Sequence, residues 1–282
     1  MNNDLIFHER TQRQIDALLN HMPQSLVLEG LSGSGVVATA QSIAAHLQAE
    51  TIVIKPKKVS ANQPVVDELE GSIIIQDIRA LYEQTRGKTN KRQVYILDTG
   101  ERSVTPSAQN AFLKLLEEPR QGVHFIIATH RPDELLPTVR SRSQVVPLLP
   151  LSDEQVSSLL DTLGIRDATI RSRLAFIGRG LPALITRLAT DNELYEHRVK
   201  IVLDAKTLIG NTDHNAFAVM HTYRDKRPDA LLLLEDISQQ LKVIMRKQAD
   251  VRHAVKIQRC LEAHARIAGG GNIRLQLAAA ML

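Results

Sequence analysis

Between residues 25 and 148 the chain alternates short apolar runs with stretches of helical periodicity. This alternation is typical of βαβ units, which build a parallel sheet with helices on its faces. The runs carry β-branched residues without a polar side, as expected for strands that are buried on both faces. Strands are predicted at residues 26–29, 52–54, 73–75, 94–97, 124–129 and 144–148, with helices between them that include 36–47 and 77–85. The predicted fold class is therefore α/β with a parallel sheet.

The pattern changes near residue 151. Ser152 followed by Gln155 is a capping-box sequence, which predicts the start of a helix. Up to residue 190 the turns fall at glycines and at Pro182, which indicates a small helical lid. The rest of the chain shows no strand alternation, and a glycine triplet separates its amphipathic stretches from a last helix at 272–282. The predicted parts are an α/β module at 1–150, a helical lid at 151–190 and an all-α domain at 191–282.

Cysteine content and hydropathy limit the cellular setting. The single cysteine, Cys260, excludes an internal disulfide and a multi-cysteine zinc site. No apolar run reaches the ~18 residues that a membrane span requires, so no membrane segment is expected. Residues 1–10 carry charges that fit no signal peptide. A reducing, cytoplasmic location is the expectation.

Charge is distributed unevenly. The whole chain has a formal net charge of +4, but residues 237–282 contain eight Lys or Arg against two acids, a net charge of +6. This tail fits either a solvated helix face or a surface that binds phosphates or a partner. The chain has four Tyr, five Phe and no Trp, too few aromatic residues for stacking on single-stranded bases. Any contact with DNA is therefore expected at the backbone.

A glycine-rich segment follows the first predicted strand. Gly30, Gly33 and Gly35 have the spacing of a phosphate-binding loop that leads from a strand into a helix. Such a loop continues with Lys and then Ser or Thr, which contact the β,γ-phosphates and the magnesium ion, whereas this chain has Val36 and Val37. Losing two charge-assisted contacts of ~1.5 to 3 kcal/mol each weakens nucleotide binding by roughly two to four decades. The alternative is a plain turn between strand and helix.

A second nucleotide-site element is also incomplete. The strand at 94–97 ends in Asp98, as magnesium-ordering strands do. A catalytic site places a second carboxylate beside that acid, but Thr99 follows here. Downstream, Thr105 and Pro106 predict the start of the next helix. The two altered elements together predict a nucleotide site without activity.

Three segments carry a family resemblance. Residues 107–119, 125–130 and 135–143 resemble the core of a bacterial clamp-loader subunit of DNA polymerase III, a member of the AAA+ family. The resemblance covers nearly all of the chain, and residues 272–282 are similar to the family's terminal collar helix. It implies an AAA+ module, a lid and a collar that joins sibling subunits. Val36 and Val37 favour the members that lack a working phosphate loop over the gamma/tau type.

The resemblance also implies roles for individual residues. Ser141-Arg142-Ser143 is similar to the family's Ser-Arg-Cys motif, whose arginine enters the ATP site of the next subunit. Arg142 is thus expected to act in trans, although an ordinary surface arginine is the alternative. Thr129 falls at or near the sensor-one position, and Leu184 stands where active subunits often have an arginine. No zinc is expected, since the family's four-cysteine module is missing, and ATP binding is expected to be weak or absent.

The expected function is an ATPase-inactive clamp-loader subunit in DNA replication. The expected partners are the gamma/tau and delta subunits in a hetero-oligomer and, through the assembled ring, the backbone of primer-template DNA, with the sliding clamp as a further candidate. Two alternatives stay open at this point. One is a gamma/tau-like ATPase with an unorthodox loop, and the other is a DNA-binding scaffold outside the replisome, which the charged tail suggests.

Overall fold

The structure, a computed structural model, describes residues 5–60, 63–68, 71–85, 91–100, 104–118, 120–210, 214–247 and 250–281. The chain forms two units, Met1–Ala189 and Thr190–Leu282. The first unit holds both the predicted α/β module and nearly all of the predicted lid. The division into three parts stays a prediction.

A five-stranded parallel sheet organises the first unit. The strands of the chain are β1 (Ser25–Glu29), β2 (Glu50–Ile54), β3 (Lys57–Ser60), β4 (Gln63–Val66), β5 (Gln93–Asp98), β6 (Val123–Thr129) and β7 (Gln144–Pro147). The sheet has the order β2-β5-β6-β1-β7, and each neighbouring pair is parallel. Strands β3 and β4 form a separate antiparallel hairpin. The predicted α/β class with a parallel sheet is confirmed.

Helices cover both faces of this sheet. The helices up to residue 190 are α1 (Glu9–Asn20), α2 (Val36–His46), α3 (Ile75–Thr85), α4 (Pro106–Glu117), α5 (Pro137–Arg140), α6 (Asp153–Thr162), α7 (Ala168–Gly178) and α8 (Pro182–Thr190), with a 3-10 turn at Pro132–Glu134. Alternate residues of β1 divide between two cores: Val27 packs with α3 and α4, and Leu26 and Leu28 pack with α1 and α2. Since side chains alternate along a strand, apolar residues at every position produce two buried faces.

The prediction of a strand at residues 73–75 is wrong. Ile73 is buried but unpaired in any sheet, and Ile75 already begins α3. Asp77 accepts a hydrogen bond from the backbone N–H of Ile74, so a side chain meets the free N–H group at the helix start. The only pairing recorded nearby, among the described residues, is an isolated antiparallel bridge between Ser72 and Lys57. A short apolar run has no periodicity that separates strand from helix.

Two predicted helix starts are confirmed. The Thr105 hydroxyl accepts a hydrogen bond from the N–H of Ala108, with Pro106 as the first residue of α4. At α6, the N–H of Gln155 donates to the Ser152 hydroxyl and the N–H of Ser152 donates to the Gln155 side chain, which completes the capping box. Both motifs act locally, which is why the sequence alone predicts them.

The second unit is helical throughout its described residues. It consists of α9 (Asn192–Gly210), α10 (His214–Thr222), α11 (Arg227–Lys247), α12 (Val251–Ala268) and α13 (Ile273–Met281). Its core includes Leu233, Ile237 and Leu277. Cys260 belongs to the same core, where burial raises the pKa of its thiol to about 11. The residues described include no helix that combines the length and the hydropathy of a membrane span.

Candidate functional site

The elements predicted to form a nucleotide site meet at the carboxyl edge of the sheet. Strand β1 lies between β6 and β7, so the loop after it opens where the strand connections diverge to the two sides. This position is the usual ligand crevice of an open α/β sheet. Glu29, which precedes the loop, pairs in register with Thr129, and Asp98 pairs with Ala128. The structure therefore brings the loop, Asp98 and Thr129 to one edge.

The loop after β1 contains two glycines with positive φ and has no lysine or arginine at residues 30–37. Gly33 and Gly35 have φ of +90° and +87°, a conformation that favours glycine, and α2 begins directly afterwards. Val36 is 1% exposed and packs in the core with Ile43. Val37 packs against the same core. The first two positions of α2 thus contribute apolar packing rather than charge.

The start of helix α8 lies directly on this loop. The backbone N–H of Leu184 donates to the carbonyl oxygen of Gly33 over 3.0 Å. A Cβ atom added to Gly33 would lie 2.8 Å from the Cβ of Leu184, and one added to Gly35 would lie 3.5 Å from that of Ala183. Leu184 therefore contacts the loop with an apolar side chain at the position where the resemblance suggests an arginine in active subunits.

Asp98 is a buried acid without a carboxylate neighbour in sequence. Burial is the main cause that raises its pKa, against a hydrogen bond that its Oδ1 accepts from the N–H of Gly100 over 3.1 Å. Thr99 is also buried, and its hydroxyl has no hydrogen-bond partner in the described part of the chain. Burial thus disfavours the charged form of the Asp98 carboxyl.

Thr129 and His130 close the end of strand β6. Thr129 is fully buried, and its hydroxyl accepts a hydrogen bond from the backbone N–H of Arg131 over 3.0 Å. The carbonyl of Thr129 accepts from the N–H of Gly30, and the imidazole Nδ1 of His130 lies 2.9 Å from the carbonyl of Gly30. The sensor-like threonine is thus engaged in the turn that supports the loop.

Arg142 lies at the other edge of the sheet, before the amino end of β7. Its Nη2 is 2.9 Å from Oε1 of Glu117, and its Nη1 donates to the carbonyl of Thr138 over 3.1 Å. The Arg142 side chain is 39% exposed. Since parallel strands begin at one edge and end at the other, Arg142 does not join the loop of its own chain.

The turn around Arg142 is tied to the sheet on both sides. The Ser143 hydroxyl donates to the carbonyl of Val139, and its oxygen lies 2.8 Å from that of Ser25 at the start of β1. Arg140 Nη1 lies 2.7 Å from the carboxylate of Glu29. Serine thus occupies a defined position where the family motif has cysteine, and Arg140 has a partner within its own unit.

Sequence reasoning missed Gln109, which connects α4 to the segment before α5. This buried side chain donates to the carbonyls of Val104 and Glu134 over 2.8 and 2.9 Å and accepts from the N–H of Leu136 over 2.6 Å. A polar residue on the buried face of an amphipathic helix was the available signal, because such a group requires partners. Its partners, however, are distant in the sequence.

The fold and the sequence of the chain each match known proteins. A crystal structure of a DNA polymerase III gamma subunit-related protein from Thermotoga maritima superposes with a TM-score of 0.56 at 18% identity, covering 97% of each chain. Residues 7–152 match the family described as DNA polymerase III, delta subunit, and the chain belongs to this family. The resemblance inferred from the sequence motifs is confirmed.

Individual relatives agree with this membership. The DNA polymerase III subunit delta' of Pseudomonas aeruginosa is 28% identical over 199 residues, which cover 68% of this chain and 57% of the relative. The delta' subunit of Bacillus subtilis is 28% identical over 175 residues, covering 58% and 52%. A Mycobacterium tuberculosis gamma/tau subunit is 37% identical over 82 residues, covering 29% and 14%. The chain thus spans little more than half the length of the delta' relatives that it matches.

Proposed function

We propose that the chain is an ATPase-silent clamp-loader subunit that completes the ring and supplies Arg142 to the ATP site of a neighbouring subunit. The observation that carries the proposal is Val36, a buried core residue at the position where a phosphate loop needs its lysine. Family membership gives the clamp-loader setting. Neither nucleotide nor zinc is part of the proposed function of this chain.

Three features support the proposed absence of ATP hydrolysis at the chain's own site. Val36 and Val37 offer no charge to the phosphates and no hydroxyl to magnesium. Ala183 and Leu184 at the start of α8 pack against the loop and bring no charged side chain to it. Asp98 is followed by Thr99 rather than by a carboxylate that would orient the attacking water. Each feature removes a different part of phosphoryl-transfer chemistry, so restoring one of them leaves the others missing.

Two features support a trans role for Arg142. The side chain is partly exposed on a turn that Ser143 anchors to β1. A guanidinium is permanently charged and carries donors in a fixed fork, which matches the oxygens of a phosphate. The ATP site that it serves belongs to another chain, because this chain's own loop lies at the opposite edge of the sheet.

The helical second unit is the proposed assembly element. Phe217 and Leu275 are 53% and 68% exposed, and both line a groove of about 530 Å³ together with Met220 and Ala278. Exposed apolar side chains around a groove are typical of a protein interface. The proposed partners are gamma/tau and delta subunits, and the ring they form is proposed to hold the backbone of primer-template DNA and to act on the sliding clamp.

The isolated chain is expected to bind ATP negligibly and to hydrolyse none. Calorimetric titration should show no binding in the micromolar range. The double variant Val36→Lys with Val37→Thr should gain at most weak binding, since Thr99 and Leu184 remain. Micromolar affinity of the unaltered chain would contradict the proposal and favour the alternative, a gamma/tau-like ATPase with an unorthodox loop.

Leu275→Asp is expected to weaken assembly with clamp-loader partners by at least about tenfold, because it places a charge in an apolar interface. Leu203→Asp is the matched control, since Leu203 is 53% exposed but does not line the groove. Truncation after Thr190 should leave a folded first unit that no longer assembles. Equilibrium sedimentation of the mixed subunits measures assembly for the point variants and for the truncated chain. Normal assembly by the truncated chain would refute the assignment, and DNA binding without any such partner would favour the scaffold alternative.

A further inference from the structure

Glu117, the last residue of α4, forms an ion pair with Arg142. The carboxylate oxygen Oε1 lies 2.9 Å from the guanidinium Nη2, with the two side chains 51% and 39% exposed. No motif of the chain indicated this pair. A partly exposed pair contributes little to stability, so its position beside the proposed trans arginine calls for a different explanation.

The pair does not use up the donors of Arg142. A guanidinium has five N–H groups in one plane. One of them faces Glu117 and one donates to the carbonyl of Thr138, which leaves three. Arg142 is therefore able to keep both intramolecular contacts and still offer N–H groups to a phosphate.

Both groups that hold the guanidinium are themselves fixed. Helix α4, which carries Glu117, is bound through Gln109 to the backbone at Val104 and Glu134. The turn after Thr138 is bound to β1 through the Ser143 and Ser25 hydroxyls. A long flexible side chain held by two anchored partners loses less rotamer freedom when it binds a ligand.

We infer that Glu117 is a positioning residue, which holds the Arg142 guanidinium in the orientation that enters the neighbouring subunit's ATP site. The inference rests on the proposed trans role of Arg142. Glu117 itself touches no phosphate in this arrangement. Its carboxylate supplies orientation, and Arg142 supplies the charge that stabilises the transition state.

The test compares Glu117→Ala, Glu117→Gln and the control Glu118→Gln in the reconstituted complex. Glu118 is the adjacent residue on the same turn, and its carboxylate has no recorded partner among the described residues. Glu117→Ala should lower kcat at the neighbouring ATP site by about fivefold and Glu117→Gln by about two- to threefold, as expected for a modest ion pair. The KM for ATP should change little, and Glu118→Gln should equal the unaltered complex. In an Arg142→Ala background, Glu117→Ala should cause no further loss.

The outcomes separate the two proposals. If Arg142→Ala leaves the neighbouring site unaffected, the trans role fails, and the inference about Glu117 fails with it. If Arg142→Ala lowers turnover while the Glu117 variants match Glu118→Gln, the positioning role alone is overturned. A faster rate in Glu117→Ala would also overturn it, because it would show that Glu117 withholds the arginine. Nitrogen-15 spectra of the isolated full chain should show faster rotation of the Arg142 guanidinium in Glu117→Gln, and unchanged rotation would contradict the pair itself.

Discussion

Arg142→Ala is expected to slow ATP hydrolysis at the neighbouring subunit's site by about 10³- to 10⁵-fold, the effect of removing an arginine finger. The physical reason is that the guanidinium neutralises charge that develops on the transferred phosphoryl group. Arg142→Lys should rescue poorly, because an ammonium keeps the charge but loses the planar fork.

Site-resolved hydrolysis in the reconstituted complex is the required measurement, because a ring contains several ATP sites and this arginine serves one of them. The chain itself should keep its stability within ~1 kcal/mol, since the pair with Glu117 is partly exposed. Assembly should persist as well. Turnover at the unaltered rate with alanine at this position would show that Arg142 has no role in trans.

Arg198→Met is expected to destabilise the second unit by about 3 to 5 kcal/mol, the cost of removing one member of a buried ion pair. Arg198 on α9 and Asp236 on α11 are both buried, with Nη2 of the arginine 3.1 Å from Oδ2 and 3.2 Å from Oδ1 of the carboxylate. Removing the arginine takes away the ion-pair partner of this buried carboxylate. Asp236→Leu should lower the stability of the second unit by a similar amount, because it removes the carboxylate that pairs with the Arg198 guanidinium.

The double variant Arg198→Met with Asp236→Leu should recover most of this loss, since it removes both charges and fills the space with apolar groups. Hydrogen exchange of the α9 and α11 amides in urea, on the full chain, measures the free energy of opening of this unit. Arg224→Ala is the control. Because the Arg224–Asp225 pair is exposed, its loss should change the free energy of opening by less than ~1 kcal/mol. Equal losses in the double and single variants would contradict the account.

The candidate site was predictable where its residues are neighbours in the sequence. The loop at residues 30–37 is one continuous segment of the chain. The sequence alone therefore predicts a phosphate loop without its lysine. The site's remaining contacts join residues that are far apart in the chain. Leu184 contacts the loop and Glu117 pairs with Arg142 because whole helices pack together. No spacing rule predicts such a pair.

The sequence by itself determined the α/β class, the helix starts at Thr105 and Ser152, and the helical nature of the second unit. These properties depend on hydrophobic periodicity and on capping side chains, which act within a few residues. The predicted strand at 73–75 failed because three apolar residues carry no period, and the hairpin Lys57–Ser60 with Gln63–Val66 was missed. Only the tertiary structure decided the partners of Arg142, Gln109 and Arg198. Periodicity shows which face of an element is buried, whereas the partner on that face depends on how distant elements pack.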